Sequence, residues 1–250
     1  PISPTSSAEA AGDLVAAHVA GAREALGDSA DVGPDLAALL VRIAAGRAAQ
    51  ADVAARAFDL RAPGRLLPAA PGPTQTGVPT QTGAPTRNAT PGGSATSVPA
   101  GTPGPLTPVA PAPRVSRSTA DLDALARLVE AEHAAVYGYA VVVPRVPRSQ
   151  RDQARAVWDA HRQTRDAVEV LVVAAGVTPP AARPAYALDV PSDADGARAL
   201  AAGIEAGVAR VGVWSVGRST GEVRALAADL AVVATRHRAQ WLGAVPPFAG

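Results

Sequence analysis

The stretch Leu128-Val129-Glu130-Ala131-Glu132-His133-Ala134-Ala135-Val136-Tyr137-Gly138-Tyr139 decides the fold. Read as a heptad from Leu122, it sets Leu122, Leu125, Val129, Val136 and Val143 on one inward seam, which predicts a long amphipathic helix. Glu132 stands in that seam, between Val129 and Val136. One helix later, Ala154, Val157, Thr164, Val168 and Leu171 make a second seam with His161 in its middle. A buried ionisable group costs several kcal/mol, roughly, unless it is paired or holds a cation. Two such groups at mid-helix in neighbouring helices point to a shared polar centre.

Working outward, start and stop signals predict helices near 120–143, 149–175, 193–217 and 221–243. Asp121 or Thr119 caps the first, Pro144 and Pro147 break after it, and Gly176 ends the second. Ser192 or Asp193 starts the third, and the turn from Gly217 to Gly221 leads into the fourth. Four helices of roughly 35–38 Å make a four-helix bundle over residues 118–250. The connection from Val177 to Ser192, rich in proline, reaches roughly 50 Å when extended, enough to run the length of the bundle. A crossover there gives ferritin-like topology, and a decorated short loop gives the simple up-down order.

Upstream, residues 1–7 read as a disordered tail and residues 8–61 as a helical hairpin. Leu14, Val15, Val19, Ala22 and Leu26 share a face of its first helix, with His18 at or near the surface. Leu36, Leu40, Ile43 and Val53 mark its second helix, which Pro34 opens. Two helices cannot enclose a core, so the hairpin either docks elsewhere or stays labile. Residues 62–117 hold 13 of the 24 prolines, no acidic residue and a near-repeat, Pro73-Thr74-Gln75-Thr76-Gly77-Val78 then Pro79-Thr80-Gln81-Thr82-Gly83-Ala84. Such a segment cannot bury enough apolar surface to offset its ordering entropy, and reads as a disordered linker.

Composition excludes several functions. The chain has no Cys, hence no disulfide, thiolate metal site or cysteine nucleophile. Its formal net charge is only +1, with no basic stripe or aromatic platform, which argues against nucleic acid. No apolar run approaches membrane-spanning length, since Val141-Val142-Val143 stops at Pro144. The start Pro1-Ile2-Ser3-Pro4-Thr5-Ser6-Ser7 has two readings. It is the polar segment left behind a removed leader or a lipid-modified Cys, or it is a boundary without biological meaning. With the Thr/Pro-rich stalk, it leads to the expectation of an exported, cell-envelope or extracellular protein, a processed lipoprotein in one version, with a cytoplasmic protein as the alternative. Membrane contact would come only through a lipid anchor.

The chemistry is confined to a few residues. In the fourth helix Val223, Leu226, Leu230 and Val233 form a seam whose next position is His237. In the third, Glu205 sits beside the seam of Ala197, Ala201, Ile204, Val208 and Val211. The bundle interior therefore receives Glu132, His161, Glu205 and His237, one from each helix. A ferritin-like di-iron centre needs a Glu from two helices and Glu-x-x-His from the other two. Trp158 and Ala234 stand three residues before His161 and His237, so both bridging carboxylates are missing and a standard di-iron centre cannot form. Glu130-x-x-His133 has the spacing but flanks the seam. What remains is one metal ion held by Glu132, His161, Glu205 and His237, or a structural polar network of the same residues with Arg165, Asp166 and Tyr137, to which Tyr139 likewise offers its hydroxyl. The network is favoured, because metal sites require a complete ligand set.

The quoted stretch, Ala160-His161-Arg162 with Arg165-Asp166, and the run Gly176, Pro179-Pro180, Ala185-Tyr186-Ala187-Leu188 and Pro191 resemble the DUF4439 ferritin-like domain. The closing Trp241-Leu242-Gly243 and Pro247-Phe248-Ala249-Gly250 fit its end. The resemblance covers about residues 120–250. It implies an all-α ferritin-like bundle in bacterial, often envelope-associated proteins of uncharacterised function. The expectation is thus a non-catalytic binding or structural module on a stalk, with no resident cofactor and a protein or small molecule as partner; a homodimer is compatible with this. The alternative is a metal-binding oxidoreductase or iron-handling protein with a single Fe or Zn ion in a reduced site.

Overall fold

The computed structural model describes residues 7–66 and 115–245. Most of the stretch read as a linker, and nearly all of the N-terminal tail, lie outside these residues. The described residues are all-α: α1 (Ser7–Asp28), α2 (Pro34–Ala57), α3 (Thr119–Val142), α4 (Arg151–Ala174, entered by a 3₁₀ turn at Arg148–Gln150), α5 (Ala194–Val216) and α6 (Gly221–Leu242).

The ends are set by local chemistry. Ser118 caps α3, its hydroxyl accepting from the Asp121 backbone N–H at 3.0 Å. Asp121, expected as a cap, instead bonds across the bundle, its Oδ1 accepting from Thr220 N–H at 3.0 Å. Asp193 caps α5 by accepting from Gly196 N–H at 2.7 Å. After α4, Gly176 adopts φ +78, and Val177 N–H and Gly176 N–H return to the Val172 and Val173 carbonyls. This paired closure uses the left-handed region that glycine enters without penalty.

Contacts fix the topology. Asp121 lies beside Thr220 and Tyr139 beside Trp241, so α3 and α6 run the same way. The short turn between α5 and α6 makes α5 oppose α6 and hence α3; Val115 N–H bonds the Ala174 carbonyl and Trp158 meets Val136, so α4 opposes α3 as well. Helices α4 and α5 are therefore parallel, and residues 175–193 must run the length of the bundle. They pass along α3, where the Pro180 carbonyl accepts from His133 and the Tyr186 ring packs against that of Tyr137 at a tilt of 49°. One long crossover is the connectivity of ferritin-like bundles.

The inward seam of α3 differs from the heptad reading. Leu122, Val136 and Val143 are only half-buried, while Leu128, Ala135, Tyr139 and Val142 are buried. Because α3 is covered by α4, α5 and the crossover, its buried arc is wider than one heptad stripe. A second correction concerns α5, which by length and composition alone is apolar enough to cross a membrane. It lies between α3 and α6 with Glu205 fully buried, and only 39% of its most apolar stretch is buried. At Gly212 an added Cβ would stand 2.9 Å from the Ala227 carbonyl oxygen and the Ala231 Cβ, so glycine sets the α5–α6 approach.

The hairpin of α1 and α2 packs on the bundle. The Ala/Val face of α2 (Ala37, Val41, Ala44, Ala48) shares a core with Val223, Ala227 and Ala231 of α6. Polar anchors flank it. The Arg236 guanidinium grips both Asp52 oxygens at 2.7 and 2.9 Å, and Arg65 pairs with Asp229. Arg224, almost fully buried, donates to the carbonyls of Ser219, Ala30 and Val32 and so clamps the α1–α2 turn to the start of α6. Hydrogen bonds from a charged donor contribute more than neutral ones, and stranded carbonyls are costly. Arg224→Ala should therefore lower stability by about 2–4 kcal/mol in urea unfolding. Arg224→Lys should recover only part, because a single ammonium cannot span the same carbonyls.

Candidate functional site

Glu132, His161 and Glu205 project from the middles of α3, α4 and α5 and meet inside the bundle. His161 Nδ1–H donates to Glu132 Oε2 at 2.7 Å, and Nε2–H faces Glu205 Oε1 at 3.2 Å. The carboxylates are 1% and 0% exposed. Glu205 Oε1 also accepts from the Tyr139 hydroxyl at 2.5 Å, and that hydroxyl accepts from Trp241 Nε1–H at 2.8 Å. From α6, His237 brings Nδ1 to 3.7 Å from Glu205 Oε1, near but outside hydrogen-bond distance. A cavity of about 20 Å³ between α4 and α6 touches all four residues, with Thr164, Leu230 and Ala234 on its walls. Glu205 Oε2 and His237 Nδ1 are buried there without a hydrogen-bond partner.

Both ring nitrogens of His161 face carboxylate oxygens, an arrangement that the doubly protonated imidazolium satisfies with both acids ionised. Burial opposes that charge, but the hydrogen bonds and charges of Glu132 and Glu205 outweigh it and raise His161 to about 10. Burial likewise pushes the Glu205 carboxyl up, yet the two histidines beside it prevail and hold it down at about 2. For Glu132 burial wins, and its carboxyl rises above the ordinary range despite the bond to His161. The shifts favour a charged His161 beside an ionised Glu205, while burial drives Glu132 toward its protonated form.

The remaining sequence candidates are elsewhere. Arg165 and Asp166 pair with each other at the surface at 2.6 Å and do not reach the centre, because they follow His161 on the outward turn of α4. Tyr137 points out and packs tilted against Tyr186, whereas Tyr139 bonds Glu205 and is the tyrosine of the network. His133 lies under the crossover, its Nε2 at 3.1 Å from the Pro180 carbonyl and 3.4 Å from Glu169. Trp158 donates to the Val136 carbonyl at 2.9 Å beneath the Arg162 guanidinium. The Tyr139–Trp241 link was missed from sequence, although Tyr139 follows Glu132 by two helical turns on the same face, which is a readable signal.

These residues do not fit a pair of irons. An indole and a methyl stand at the two bridging positions, and Ala234 leaves only a wall of the cavity. Among the described residues, no three His, Asp or Glu side chains form a ready-made metal cage.

Fold and site together define an all-α bundle with a buried acid–imidazole centre. A family model described as a domain of unknown function, DUF4439, matches residues 124–250, and the chain belongs to that family. The crystal structure of a conserved hypothetical protein, Rv2844, from Mycobacterium tuberculosis is similar at 30% identity, covering 51% of this chain and 98% of the other, with a TM-score of 0.48. Among curated proteins none matches.

Glu132→Ala removes one partner of a buried, charged ring and should cost roughly 3–5 kcal/mol in thermal or urea unfolding. The pH dependence is set by the signs of the two shifts. His161, raised in the fold, contributes stability that is complete below its ordinary value of 6.5 and lost as pH rises toward about 10. Glu205, lowered in the fold, contributes stability that is complete above its ordinary value of 4.5 and lost as pH falls toward about 2. The chain has no Cys or Lys, so few other groups titrate between roughly pH 8 and 10. His161→Gln should therefore flatten the alkaline fall in melting temperature that the native chain shows over that interval.

Proposed function

We propose that this chain is a non-catalytic, ferritin-like binding module of the cell envelope, carried on its Pro/Thr/Gly-rich segment. One observation carries this reading. A groove of about 420 Å³, within the range of ligand pockets, runs between α3, α5 and the crossover, and its walls are Ala, Gly, Val, Leu, Ile and Tyr186. Among the described residues, no carboxylate, imidazole, serine or threonine lines it. Such a surface can hold an apolar group, and its one polar side chain, Tyr186, has its hydroxyl engaged as acceptor from Arg183 N–H at 3.2 Å. Glu132, His161 and Glu205, which carry acid–base groups, are buried in the bundle centre and do not line the groove.

Envelope placement is supported by the composition of residues 62–117 and by the resemblance to envelope-associated proteins; fractionation of cells expressing the full chain is its direct check. Binding is tested at the groove. Gly203 lines it, and a Cβ there would meet nothing within 4 Å. Gly203→Leu should therefore fold normally and fill the space. A neutral environment-sensitive dye such as N-phenylnaphthylamine should brighten with the native chain, and its affinity should fall about tenfold or more in Gly203→Leu, the loss of roughly 1.4 kcal/mol of apolar contact. Equal dye binding by both proteins would remove the groove from the proposal.

A further inference from the structure

The geometry points to a single first-row divalent cation bound between α4 and α6 by His161 Nε2, the Glu205 carboxylate and His237 Nδ1, with Glu132 as the outer partner of His161. This goes beyond the groove reading and is independent of it.

The donor atoms already lie near the required spacing. Around one ion, with nitrogen and oxygen ligands at 2.0–2.2 Å, neighbouring donors stand roughly 3–3.4 Å apart. His161 Nε2 is 3.2 Å and His237 Nδ1 3.7 Å from Glu205 Oε1. The cage is not closed as it stands, and a shift of a few tenths of an ångström by the half-buried His237 ring closes it. Two of these groups have no other use for their polar atoms. Glu205 Oε2, on a side chain with no exposure, and His237 Nδ1 are buried without a hydrogen-bond partner, and both residues border the same cavity. At about 20 Å³ that cavity accommodates one water-sized body.

The surroundings have the form that supports a ligand set. A metal-binding histidine commonly donates its second ring N–H to a carboxylate, which orients the ring and raises its basicity. His161 does this to Glu132 at 2.7 Å. Glu205 is oriented in turn by the Tyr139 hydroxyl, itself held by Trp241. Two imidazoles and one carboxylate suit Fe²⁺, Co²⁺ or Zn²⁺ and leave a position facing the cavity. On binding, the Nε2 proton of His161 leaves to solvent and its lone pair faces the ion, so the positive charge that balances Glu205 passes from imidazolium to metal. Glu132 keeps its hydrogen bond from Nδ1–H throughout.

The test is titration of the full chain, stripped with chelator, with Co²⁺ alone, followed by its visible absorption and by calorimetry. One Co²⁺ per chain is expected. His237→Ala should weaken binding by more than the roughly 10–100-fold typical of losing an outer partner, and Glu205→Gln should do the same. Glu132→Gln should keep the stoichiometry while losing about 10–100-fold in affinity. His18→Ala, far from the centre in sequence and on α1, should change nothing. Circular dichroism establishes that each variant is folded; if Glu205→Gln is not, His237→Ala decides. No Co²⁺ band in the native chain, equal binding by His237→Ala, two ions per chain, or complete loss in a folded Glu132→Gln would each overturn the assignment.

Discussion

The protonated ring of His161, held between two carboxylates from different helices, is the interaction on which the bundle depends. Each carboxylate is fully out of water, and such an ion survives only if its attraction to a partner and its hydrogen bonds offset desolvation. The cation that meets both is the imidazolium, and it satisfies both acids only when Glu132, His161 and Glu205 stand at one level. A slip of α3, α4 or α5 by one turn would strand at least one charge. The polar centre thus fixes helix register more sharply than its apolar neighbours, which are mostly Ala and Val and would tolerate sliding.

That constraint also explains the position of α6. Three helices already meet at His161, and α6 closes the fourth side of the bundle with Leu230, Val233 and Ala234, and with His237 bordering the centre. Its opposite face carries further buried residues, Arg224 and Asp229 among them, which solvent alone would not cover. The α1–α2 hairpin supplies the cover. Its small alanine face permits close approach, and its carbonyls, with Asp52 and Arg65, answer the charges of α6. The hairpin has too little core to stand alone, and α6 has too many buried polar groups to stand bare. Each accounts for the other.

Much of this was legible in the sequence, and the parts that were not share a cause. Glu132 and His161 announced themselves as polar residues in apolar seams, and Glu205 lay close enough to a seam to be included. Residues that act within one element, such as Asp193 at a helix start and Gly176 at a helix end, read correctly for the same reason. The failures involve residues whose role depends on what lies opposite. Asp121 looked like a cap, but Thr220 from another helix claims its carboxylate while Ser118 takes the cap. Tyr137 and Tyr139 were indistinguishable until the crossover covered one and Trp241 met the other. Arg224 and Arg236 carry no local signal of their role, because their partners come from nearly two hundred residues upstream.

The chain also keeps two kinds of environment on either side of a thin wall. Val208 borders both the polar cavity, shared with His161 and Glu205, and the apolar groove, shared with Gly203 and Gly207. Helix α5 therefore presents a fully buried carboxylate on one face and an open, side-chain-poor surface on another. A larger residue at Gly203 or Gly207 would fill the groove without touching the ion pair, whereas a change at Val208 would be felt on both sides. An apolar wall of one side chain keeps the dielectric around Glu205 low, which strengthens its attraction to His161. The same side chain leaves the groove uncharged. Small residues on α5 thus serve the polar centre and the apolar surface at once, which is why this helix can be apolar enough to pass for a membrane span and still carry the most deeply buried acid in the bundle.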